Sequence, residues 1–146
     1  MGTIVCATRG GEASRRTQER AIALAKERRA ELVFLCVFDA TVAERLSSGL
    51  ANAVAEEQQW LGRALMSIAQ ARARDEGLEA GAAIRSGPVL ASIEAFVCQV
   101  DASTLVIGEP KTDSPLAAFH PGTIMSCAKQ VEQNTGVEVV VVTPGE

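Results

Sequence analysis

Tyrosine is absent from the 146 residues, and one tryptophan and four phenylalanines hold the aromatic content at 3%. A stacking platform for unpaired bases is not expected from so few rings. Positive charge is also scarce: fourteen Lys and Arg face eighteen Asp and Glu, for a net charge of −4. Nucleic acid as the main partner is excluded on that balance, because phosphate binding needs a basic face. No apolar run approaches the ~18 residues of a membrane span, so no membrane insertion is expected. Met1–Ala7 leads into Arg9, Glu12, Arg15 and Arg16 rather than into an apolar stretch with a cleavage site, so no leader is expected either. Histidine occurs once, at His120, and Cys6, Cys36, Cys98 and Cys127 lie far apart with no CxxC. A metal site wants paired ligands at short spacing, and none is expected. The four cysteines read as reduced core residues of a cytoplasmic protein.

What is present is ordinary for a folded chain: 47% hydrophobic and 22% charged residues. A chain of this length buries roughly 68–70% of its unfolded surface, enough for a core without staples. Residues 1–146 read as one domain, with no linker, repeat or low-complexity tract.

Short apolar runs alternate with helical spacing. Thr3–Ala7 reads as a buried strand. Ser14 reads as the N-cap of a helix that carries Ala21, Leu24, Ala25 and Arg28 and ends near Ala30. Leu32–Phe38 is apolar on both faces, which suits a strand covered by helices on both sides. Val54, Leu61, Leu65 and Ile68 mark the buried face of a long helix from about Leu50 to Glu76, with Gly77 after its end. Leu78–Ile84 reads as a weaker strand, Arg85–Pro88 as a turn, and Val89, Ile93, Phe96, Val97 and Val100 as the face of the next helix. Leu105–Gly108 is another strand. A proline-containing loop from Glu109 to Pro121 leads to a helix opened by Gly122-Thr123, and Val137–Val142 closes the pattern. This alternation predicts an α/β fold, a doubly wound parallel sheet with helices on both faces.

In such sheets a ligand sits beyond the carboxyl ends of the strands, where the winding reverses. The loop after the first strand, from Ala7, Thr8, Arg9 and Gly10 through Gly11 and Glu12, is one candidate wall. The segment from Gly108 onward is the other, and the helix start at Gly122-Thr123 offers free N–H groups to an anion.

The run Ile4–Ser14, the strand Leu105–Gly108, the helix start Gly122-Thr123 and the Val-rich last strand resemble the universal stress protein family over the whole chain. That resemblance implies five strands in the order 3-2-1-4-5. It also implies a homodimer made through the last strand, Val137–Val142, as suits an apolar edge strand. Family members that bind ATP carry Gly-x2-Gly-x9-Gly-(Ser/Thr) after the fourth strand. Here Gly108 fills the first position, Lys111 the second and Pro121 the third, and Gly122-Thr123 follows one residue late. Arg9 stands where the family usually has Asp, and Gly11 where it has a small polar residue. An adenine held as in the ATP-binding members would lie by Ala7, Val37 and Gly108, with the ribose near Arg9.

The reading is therefore a stress-protein-like regulatory or interaction module, not a classical ATP binder and not an enzyme. Its pocket is expected to take a small anion through Lys111 and Arg9, or nothing. A second reading keeps ATP or another nucleotide as ligand, with slow or no hydrolysis. A third is a cytoplasmic accessory domain of a transporter or kinase. A Ser114/His120/Asp113 set can be written down, but no Gly-x-Ser-x-Gly elbow supports it. Asp39 and Glu109 fall near strand ends without forming a carboxylate cluster. Cys127, one turn into the last helix, reads as a structural thiol. Trp60 reads as a packing or interface residue, and Arg15-Arg16 and Arg28-Arg29 as solvated helix faces.

Overall fold

A computed structural model describes residues 2–8, 12–38, 47–108 and 123–143. Five strands, β1 (Thr3–Ala7), β2 (Glu31–Phe38), β3 (Ala80–Ser86), β4 (Thr104–Gly108) and β5 (Glu138–Val142), form one sheet. All pairings are parallel and the order is β3-β2-β1-β4-β5. Four helices connect them: α1 (Glu12–Arg28), α2 (Ser48–Asp75), α3 (Val89–Gln99) and α4 (Thr123–Thr135). This is the expected doubly wound arrangement in the expected order.

The period-2 alternation of the strands sorts the core into two layers. Ile4, Cys6, Leu32, Phe34, Cys36 and Val106 face α1 and α2. Val5, Leu35, Val37, Leu105 and Ile107 face α3 and α4. The winding therefore reverses between β1 and β4. Ala21, Leu24 and Ala25 of α1, Ile93, Phe96 and Val97 of α3, and Ala128 and Val131 of α4 are buried as their spacing predicts.

The structure departs from the sequence reading in several places. Ser14 lies inside α1, which begins at Glu12, so it is not the N-cap. A capping residue marks the end of a helix only to within a turn. The helix stops at Arg28, and Arg29 takes the left-handed conformation with φ 52°. That turn lets the Ala30 N–H reach the Ala25 carbonyl at 3.0 Å, the closure usually made with glycine. Gly77 closes α2 in the same way, at φ 84°.

The buried face of α2 is rotated from the expected one. Gly62, Met66, Ala69 and Ala73 face the sheet, while Leu61 and Ile68 are exposed. The reason is close approach. A Cβ at Gly62 would lie 2.9 Å from Ile84 Cδ1 and 3.1 Å from Phe38 Cε2, so small residues set the contact and Leu61 and Ile68 point away, whereas Leu65 of the expected face still packs half-buried against this layer.

β3 runs two residues later than expected. Arg85 and Ser86 pair with Val37 and Phe38 instead of turning, and the Gly87 N–H extends the ladder to the Phe38 carbonyl at 2.9 Å. The Arg85 guanidinium covers the Phe96 ring at 5.1 Å, a contact that favours the extended form. Pro88 occupies the N-cap of α3.

Candidate functional site

The register gathers the predicted residues of the strand ends. Ala7 stands level with Leu35 on β2 and Ile107 on β4. One step further, the Thr8 N–H bonds to the Leu35 carbonyl at 2.9 Å, so Thr8, Gly108 and Val37 share the carboxyl edge of the three inner strands. Thr8 and Val37 are buried, and Ala7 and Gly108 are half-buried. Thr123 opens α4, the helix that follows β4 and leads to β5. Arg9, Gly10, Lys111 and Gly122 lie outside the described residues. So do Gly11, Asp39, Glu109, Asp113, Ser114 and His120.

Two polar residues of α1 support this edge, and neither was singled out in the sequence. Thr17 packs against the β4 end: a Cβ at Gly108 would overlap its Oγ1. Glycine is thus required here by close approach, whatever its role toward a ligand. Gln18, also buried, donates from Nε2 to the Thr8 hydroxyl at 3.0 Å and accepts from Arg72 Nη1 of α2 at 2.6 Å. The chain Arg72–Gln18–Thr8 fixes the amide orientation and ties α2 to the end of β1. The signal was available: Thr17 and Gln18 precede Ala21 by one turn on the apolar stripe, where polar residues need partners.

Below Thr8 the edge is dry. Cys6 is fully buried, its thiol lies 3.8 Å from the Thr17 carbonyl, and burial pushes its pKa far above the ordinary range. Such a thiol stays protonated and inert. Cys36 is likewise buried, Cys127 is half-buried, and Cys98 is exposed. The reading of Cys98 as a core residue is therefore corrected: Ile93, Phe96 and Val97 carry the buried side of α3, and Cys98 falls outside it.

A groove of about 460 Å³ runs between α1 and α2, lined by Arg15, Glu19, Lys26, Arg72, Asp75 and Glu76 among others. Two ion pairs lie along it, Arg15 with Glu19 at 3.1 Å and Lys26 with Glu76 at 3.3 Å. Arg28 is not simply solvated as expected. It bonds Thr104 at 2.9 Å and Glu138 at 3.1 Å, joining α1 to the starts of β4 and β5.

The family model described as "Universal stress protein family" matches residues 1–143. The chain belongs to the universal stress protein family. No curated protein sequence matches it. A universal stress protein from Lactobacillus plantarum is similar in structure at a TM-score of 0.73 and 20% identity, covering 97% of each chain. The universal stress protein from Archaeoglobus fulgidus in complex with dAMP gives 0.67 at 19% identity, again with 97% of each chain covered. A universal stress protein in complex with cAMP gives 0.70 at 19% identity, covering 97% of this chain and 96% of the other. At these identities the likeness shows the fold. Among the described residues no helix is long and apolar enough to cross a membrane.

Proposed function

We propose that this stress protein is a non-catalytic, cytoplasmic regulatory module whose crevice between β1 and β4 takes a small anionic ligand. A nucleoside monophosphate is the best-supported class. The observation that carries the reading is the meeting of the two candidate walls at the topological reversal. Thr8 and Gly108 end adjacent strands there, and α4 begins at Thr123. Helix starts at such a reversal present free N–H groups to a phosphate.

The sequence argues for a small anion over ATP. Lys111 replaces the second glycine of the phosphate loop and Arg9 replaces the usual acidic residue. Lysine contributes point charge where backbone N–H groups would otherwise converge. Arginine favours a phosphate or carboxylate and removes the acceptor a ribose hydroxyl would use. The related proteins in complex with cAMP and dAMP support a monophosphate of that size. A homodimer through the outer edge of β5, which among the described residues pairs with β4 alone, belongs to the same reading. Titration calorimetry with AMP, cAMP and ATP, each with and without magnesium, tests the ligand class. Tighter binding of ATP than of either monophosphate returns the protein to the ATP-binding reading. No heat from any of them removes the ligand from the account.

A further inference from the structure

β3 is an outer strand of the sheet, and an unpaired strand edge is a template for further pairing. Its sequence does little to prevent that. Ala80-Gly81-Ala82-Ala83 has no bulk, no proline and no charge, and strands of this kind specify their pairing weakly. Gly81 and Ala82 are exposed. The Gly87 N–H bonds to the Phe38 carbonyl, and successive residues of a strand address opposite neighbours. Gly81, Ala83 and Arg85 therefore turn their backbone groups to β2, and Ala80, Ala82 and Ile84 turn theirs to the open edge. Two side chains close that edge. Gln70 of α2 donates from Nε2 to the Ala80 carbonyl at 2.8 Å. Arg85 folds back along its own strand and donates from Nη1 to the Ile84 carbonyl at 3.0 Å, with its guanidinium seated over the Phe96 ring of α3. The caps come from the two faces of the sheet, since α2 and α3 cover opposite sides, and Ala82 is left between them.

The strand such an edge would take is β3 of a second copy. The outward row Ala80, Ala82, Ile84 is symmetric about Ala82. A two-fold axis there sets Ala80 of one copy opposite Ile84 of the other, as an isologous contact requires. Antiparallel partners in such a row exchange N–H and carbonyl within each pair. The pair at Ala82 finds its groups open. The flanking pairs find their carbonyls held by Gln70 and Arg85. One residue pair is too little against the translational and rotational freedom lost on association. We propose that Gln70 and Arg85 guard the β3 edge, keeping it from adding the β3 strand of a second copy of this chain. β3 and β5 end the sheet at opposite sides, so the guard is independent of any β5-edge dimer and of any ligand in the crevice.

Gln70→Ala with Arg85→Ala removes both donors without adding a large apolar side chain. Sedimentation velocity from submicromolar to hundred-micromolar protein, read together with amide hydrogen exchange over residues 80–86, tests the proposal. The wild type is expected to keep fast exchange at the Ala82 and Ile84 N–H groups at every concentration, whatever it does at other surfaces. The double variant is expected to gain a concentration-dependent rise in mass of twofold or more. Exchange at Ala82 and Ile84 slows tenfold or more over the same range. Adding Ala82→Lys places a charge on the edge itself and reverses both effects. If the double variant does not fold, Gln70→Ala alone is read in the same way, since it frees one acceptor of each flanking pair. A folded variant that sediments as the wild type does overturns the proposal. Association that leaves residues 80–86 exchanging fast, or that survives Ala82→Lys, also overturns it, because its contact lies elsewhere. So does a wild type that already protects Ala82 and Ile84 as it associates.

Discussion

Gln18 Nε2 meets the Thr8 hydroxyl across 3.0 Å, and both residues are buried where β1 gives way to its loop. The same amide receives Arg72 from α2, so a change at Gln18 strips a bond from both neighbours. Gln18→Leu keeps the volume and removes the bonds, taking one hydrogen bond from a buried hydroxyl and one from a half-buried guanidinium. The expected loss is about 1–3 kcal/mol in urea unfolding. A change within 0.3 kcal/mol contradicts the role given to Gln18.

Gly108→Ala drives a methyl group into Thr17. Overpacking of this kind costs about 1–3 kcal/mol, or several degrees of Tm for a chain of this size. Thr17→Ala opens the space. In the double variant Gly108→Ala with Thr17→Ala, the cost of the alanine at 108 is expected to fall by half or more. Additive losses in the thermal scans contradict the packing account.

The two sides of α2 are separable by single truncations. Met66→Ala empties a buried site on the sheet side and is expected to cost about 2–5 kcal/mol. Ile68→Ala, at a half-open position, is expected to stay within about 0.5 kcal/mol under conditions where the chain is monomeric. Denaturant midpoints decide, and the reverse ranking restores the face that hydrophobic spacing first suggested.

Burial raises the Cys6 pKa in the folded state, and the sign of the consequence is fixed. The unfolded thiol releases its proton near pH 8.5 while the folded one keeps it. Stability from this group is therefore full below about pH 8.5 and declines as pH rises beyond it. In reductant, the urea midpoint of the wild type is expected to fall more between pH 7 and 10 than that of Cys6→Ala. Maleimide labelling should meanwhile find Cys98 first and Cys6 only on unfolding.

Much of this fold was legible because its strands are buried on both faces. Val5–Cys6, Leu32–Val37 and Leu105–Ile107 announce themselves as apolar runs, and the helices between them force parallel crossovers. The edge strand β3 was misplaced because Ala80–Ala83 carries little hydrophobic signal and Arg85 reads as turn until its contact with Phe96 is seen. The rotation of α2 escaped because hydropathy weighs Leu61 and Ile68 above Gly62 and Ala69, whereas close packing selects the small residues. At the site, glycine and basic substitutions after β1 and β4 could be read directly. The support from Thr17, Gln18 and Arg72 could not, because it depends on distances between residues far apart in the chain.

We propose that the crevice at the ends of β1 and β4 takes a small anion in preference to ATP on account of Arg9 and Lys111. Calorimetric titration of wild type and of Arg9→Asp with Lys111→Gly, each against AMP and against ATP with magnesium, measures that preference directly. The wild type is expected to bind AMP more tightly than ATP, and the double substitution to raise ATP affinity by tenfold or more. An ATP affinity that is unchanged by the substitution, or already above that for AMP in the wild type, contradicts it.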